Sequence, residues 1–173
     1  LDRPLKIPLN LLAVFQLVFV TAFLIYYLYI GIQWGFGERL ILLMASDGIY
    51  LLLILSSIGL FMGKNWSWWL TIIVYTKLLI AKAVTLIAET SMIFSGIIVE
   101  DFQIESFILE VFILFMYSIV IFFLSLPMVR SFFSIQWKGK KLVFLVNVSA
   151  LIVYMLYFIV VVFIISWVQP ILY

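Results

Sequence analysis

The chain has 173 residues, 68% hydrophobic, 18% aromatic and only 10% charged, with a net charge of +2. A domain of this size cannot bury so much apolar surface, so lipid must cover part of it, and a soluble protein and a nucleic-acid binder are both excluded. The absence of cysteine and histidine removes disulfides, thiolate nucleophiles, imidazole bases and the usual zinc, copper, haem and non-haem iron sites, so no cofactor is expected.

A bilayer core of ~30 Å needs roughly 20 apolar residues to cross it, and runs at about 9–30, 40–62, 68–90, 106–126 and 142–168 qualify. The expected fold is all-α: one transmembrane domain over 1–173, a bundle of five helices. The first run follows Arg3 and Lys6 as a signal peptide would. It ends in "YYLYIG" without a small-residue cleavage site, which reads as a retained signal anchor. The second closes on "GLFMG", a G-x-x-x-G that permits close helix approach or simply loosens the helix end before a turn. Continued to about residue 98, the third would be ~50 Å long at 1.5 Å per residue. A tilt, or a break near Ser91–Gly96, is therefore expected. Before the fourth run lies the acidic "EDFQIE". Between the last two, Arg130 to Lys141 with Phe132, Phe133 and Trp137 has the composition of an interfacial element on anionic lipid.

Five alternating spans put Arg3, Lys6, Lys64, Arg130, Lys138, Lys140 and Lys141 on one side, facing Arg39, Glu38, Glu100, Asp101 and Glu105 on the other. The positive-inside rule then makes the N-terminus cytoplasmic and the C-terminus external. Trp66, Trp68, Trp69 and Trp137 are expected in the inner aromatic belt, Trp34 and Trp167 in the outer one.

The lead-in "RPLKIPLNLLAVFQ" and the turn in "GLFMGKNWSWWLTI" resemble a group of small prokaryotic multi-pass membrane proteins of unassigned function. These share an R-P-L start and a basic G-K-x-W-x-x-W-L turn. The likeness covers the first half and implies no activity. It implies that Pro4 and the "GKNW" turn are cytoplasmic, and a prokaryotic cell membrane as the location.

Charges inside the spans form the one unusual constellation. Helical rise places Asp47 ~10 Å, Lys82 ~12 Å and Glu110 ~6 Å below the outer ends of their segments. Those depths make an Asp47–Lys82–Glu110 cluster in the outer half of the bundle geometrically feasible. Residues seven apart nearly eclipse on a helix, so Tyr75, Lys82 and Glu89 share a face with Thr85 beside them. Lys77 points about 140° away from Lys82, on the side of Ala81 and Ala88, and is expected to snorkel to the inner interface or to find a different partner. Unpaired charges at this depth cost roughly 2.5–3.5 kcal/mol each on insertion scales. The cluster is therefore a hydrated binding or proton-relay site, a packed ion pair fixing helix register, or a contact with a partner subunit. Gln16, Thr21 and Asn147 read as helix-to-helix hydrogen bonds.

No glycine-rich phosphate loop, nucleophile elbow or metal-ligand spacing is present, and Lys82 between Asp47 and Glu110 argues against an aspartyl dyad. The expectation is a protein that is not an enzyme: an accessory or structural subunit packing against membrane partners or its own copies. The alternative is a small channel or an ion- or proton-coupled carrier built on the polar cluster.

Overall fold

The computed structural model describes residues 3–95 and 103–168. Gly96, named above for the expected break, and Glu100 and Asp101, used for topology, lie outside them, as do the side chains of Arg3, Pro4, Glu38 and Arg39. Among the described residues the chain folds as α1 (Arg3–Trp34), α2 (Glu38–Asp47), a 3-10 turn (Gly48–Leu51), α3 (Leu52–Phe61), α4 (Asn65–Phe94), α5 (Ile104–Ser125), α6 (Pro127–Phe132) and α7 (Gly139–Val168). Four of these, α1, α4, α5 and α7, are long and apolar enough to cross a membrane. Helix is the form an apolar chain takes in lipid, where every backbone N–H and C=O must be satisfied internally. The protein is an all-α, multi-pass membrane protein.

The second expected span departs from one continuous helix. The α-helix gives way after Asp47, whose φ −108° and ψ −1° still lie in the right-handed helical region, and the next four residues wind as 3-10. The cause is local: aspartate competes with the helix for backbone hydrogen bonds, and Gly48 loses more freedom than any other residue on becoming helical. The third span has no interior break. It runs 30 residues to Phe94, and the Ser95 N–H still bonds to the Ser91 carbonyl at 2.9 Å. At ~1.5 Å per residue such a helix exceeds the hydrocarbon thickness and must tilt or project.

Helix α4 is the hub, packed against α3, α5 and α7. Its most apolar stretch is 39% buried, against 6% for α5 and for α7. Close approach of α3 to α4 depends on Gly59, where a Cβ would lie 2.5 Å from the Ser67 Cβ and 2.6 Å from the Trp66 ring. Of the two readings of "GLFMG", close approach is the one realised. Trp68 corrects the belt expectation. It is fully buried, and its indole N–H donates to the Leu124 carbonyl at 2.9 Å, tying α4 to the end of α5. Trp66, Trp137, Trp34 and Trp167 are exposed.

A buried polar layer joins α1, α3 and α4. The Ser57 hydroxyl is 2.8 Å from Gln16 Oε1, and Ser56 Oγ is 2.5 Å from Thr71 Oγ1. Gln16 is thus the interhelical bond expected of it. Asn147 is not, because its amide donates to the Val143 carbonyl of its own helix at 2.8 Å. The element after α5 tucks Val129 and Phe133 into the bundle and leaves Met128 and Trp137 exposed.

Candidate functional site: a buried lysine facing a broken helix

The break in the second span directs a carboxylate into the bundle. The Tyr27 hydroxyl of α1 donates to Asp47 Oδ2 at 2.6 Å, a charge-assisted bond that holds the carboxylate at the end of α2. Helix α7 supports the same turn, since the Tyr157 hydroxyl donates to the Ala45 carbonyl. A Cβ at Gly48 would stand 3.7 Å from that hydroxyl, an ordinary van der Waals contact. Past the turn, Tyr50 and Tyr117 bring their hydroxyls within 3.4 Å, linking the 3-10 segment to α5.

Toward the tyrosines of α7, α4 projects Lys77, a residue only 6% exposed. Its ammonium lies 4.4 Å from the Tyr157 ring centroid and 5.9 Å from that of Tyr154. The ring faces supply part of the stabilisation that lost water would have given. The Asp47 carboxylate is not in salt-bridge contact with it. The salt bridge among the described residues is elsewhere, between Lys82 and Glu110 at 2.6 Å.

The sequence-predicted residues therefore separate into two groups. Lys82 and Glu110 meet between α4 and α5, with side chains 28% and 21% exposed. Tyr75 points to the same neighbour, stacking edge-on against Tyr117 of α5 at 5.8 Å. Thr85 and Glu89 are exposed. Asp47 does not join Lys82, and this corrects the expected pairing. Similar depth does not bring two groups together when their helices lie on different sides of α4. Helix α2 leans on α7 and α1, whereas Glu110 belongs to α5. Of the two expectations for Lys77, a partner different from that of Lys82 is the one realised. It stays inside the bundle, where the α7 tyrosines give its ammonium an alternative to the headgroups.

Residue-type reasoning missed Tyr27, Tyr154 and Tyr157. Two signals pointed at them: the Asp47-Gly48 pair inside an apolar run, and tyrosines recurring within α1 and α7 where leucine would serve packing equally well. Beside the turn lies a cavity of about 350 Å³ between α1, α4 and α5, mostly apolar, with Tyr50, Tyr75 and Tyr117 on its wall. The arrangement thus combines a carboxylate, a buried amine, tyrosine hydroxyls and a partly open apolar cavity around the 3-10 turn. No family model, curated protein or solved structure matches the chain.

Proposed function

We propose that this protein is a small proton-coupled carrier, with Asp47 and Lys77 as the coupling pair and the cavity beside Tyr50 as the cargo space. The observation that carries this reading is Lys77: nine-tenths buried in the middle of a membrane helix, without a carboxylate in contact among the described residues, against the Tyr157 ring whose hydroxyl braces the end of α2 at Ala45. Ionisable groups in the membrane interior are expensive, and discontinuous helices are where carriers place substrate and ion sites. With Asp47 ionised and Lys77 protonated, opposite charges draw α2 and α4 together. A proton taken up by Asp47 from one face cancels that attraction and leaves the Lys77 cation, and its release to the other face restores it, which would shift the balance at the 3-10 turn. In this reading Glu38–Phe61 crosses as a broken fifth span, the N-terminus and α6 face the cytoplasm, and the chain ends outside. The cavity suits a small uncharged solute.

The test uses the absence of native cysteine. Single cysteines at positions 48 and 81, beside the pair and leaving it intact, and, as a comparison, 82 are exposed to a membrane-impermeant thiol reagent in sealed proteoliposomes, with and without an imposed pH gradient. Labelling at 48 and 81 that changes with the gradient is expected. Complete protection at both positions under every gradient would leave only a packed polar core and overturn the proposal.

A second reading has its own observation. The most apolar stretches of α5 and α7 are only 6% buried, as expected of an accessory, non-catalytic subunit whose outer helices meet a membrane partner or a second copy. Stoichiometric co-purification of one such partner, lost on bulky substitution of Phe115 or Phe163 (both exposed), would favour it.

A further inference from the structure

A second cavity, of about 360 Å³, opens between α5 and α7 at the α6 end of the bundle, with α4 as its floor. We propose that it holds the headgroup region and part of one acyl chain of an anionic phospholipid. The walls divide as an amphiphile does. Ile72, Leu79, Ile121 and Val146 line the apolar part, while Arg130 and Gly139 stand at the end where α7 begins.

Arg130 is already oriented, its Nη1 donating to the Trp137 carbonyl at 3.0 Å, yet its Nε is buried without a partner. Helix α7 opens on Gly139, where a side chain would meet nothing within 4 Å, so the space beside its first residue is open. The N-terminus of a long helix carries partial positive charge and unpaired donors, which suit a phosphate. Lys138, Lys140 and Lys141 flank it, exposed, and no aspartate or glutamate follows Glu110 anywhere in the chain. The cations at this end thus have no acidic residue from the whole second part of the protein to answer them.

An independent sign of a ligand lies deeper in the same cavity. Thr76 is 5% exposed and its hydroxyl has no hydrogen-bond partner. An acyl tail alone would leave it so, whereas a glycerol-ester carbonyl accepts from it. Phosphate on Arg130, ester on Thr76 and chain along the α5–α7 wall account for all three features together.

The experiment is native mass spectrometry and a binding titration on the delipidated protein in non-ionic detergent, with phosphatidylglycerol and phosphatidylcholine in parallel. One phosphatidylglycerol per chain is expected, held in preference to phosphatidylcholine. Arg130→Gln should weaken it about tenfold or more, the effect of losing a hydrogen bond to a charged group. Val143→Trp, on the exposed wall of the groove, should obstruct the chain while leaving Arg130 intact. It decides the matter if the arginine variant does not fold. Lys141→Gln should cost less than about fivefold, as a surface charge does. Equal binding of the two lipids would overturn the proposal. So would displacement of phosphatidylglycerol by inorganic phosphate, or wild-type affinity in Val143→Trp.

Discussion

Lys77 and Lys82 sit five residues apart on one helix, in the same apolar sequence, and live in different chemistry. Lys82 leans toward α5, meets Glu110 at 2.6 Å and keeps 28% of its side chain exposed. Lys77 leans toward α7, is 6% exposed, and has two tyrosine rings where Lys82 has a carboxylate. A rotation of about 140° between them changes which helix each one meets, and hence whether its charge is neutralised by contact or held by aromatic faces and a carboxylate further off. Lys82 can therefore serve as a fastening between two helices. Lys77 retains an unsatisfied demand for charge compensation, the property a coupling group needs.

The sharpest way to break this contrast is to remove the counter-charge from each lysine. Asp47→Leu leaves a buried ammonium with only ring faces around it, and breaking a buried charge pair this way costs about 3–5 kcal/mol. The direct contact of an ordinary ion pair is missing here, so the lower end is expected. Thermal unfolding in detergent should show a large drop for Asp47→Leu that Asp47→Leu/Lys77→Met largely recovers. Additive losses in the double variant would mean that the two groups do not interact.

Next in size is the aromatic support. Tyr157→Leu removes both the ring under Lys77 and the hydroxyl on Ala45, whereas Tyr157→Phe removes only the hydroxyl. A desolvated cation–π contact contributes about 2 kcal/mol. The leucine variant should therefore be less stable than the phenylalanine variant by roughly that amount, and in a Lys77→Met background the gap should shrink. A gap that persists unchanged would assign Tyr157 a packing role only.

The parts of this arrangement that were legible in the sequence are those governed by one-dimensional chemistry. Long apolar runs could only be membrane helices, and the four continuous spans lie where hydropathy places them. Gly59 and Gln16 announced helix contacts by being small or polar in an apolar run. Azimuth was not legible. Whether Asp47 faces Lys77 or Lys82 depends on which helices flank α4 and on a break that no proline marks, and both are tertiary properties. Trp68 was misplaced for the same reason. A tryptophan near a helix end looks alike whether its indole N–H seeks the interface or the Leu124 carbonyl.

The smallest effect should come from the pair that looked most important in the sequence. Lys82→Met removes a salt bridge at 2.6 Å, but Glu110 lies only ~9 Å along α5 from its first residue. Once released, the carboxylate can reach the headgroups or take up a proton without remaining as a stranded charge. Partly exposed pairs contribute about 0–1 kcal/mol, and the same is expected for Lys82→Met and Glu110→Gln in thermal unfolding. The exchanged pair Lys82→Glu/Glu110→Lys should restore the contact in reverse. A loss from Lys82→Met as large as that from Asp47→Leu would erase the distinction between the two lysines, and with it the reason for placing the coupling site at Lys77.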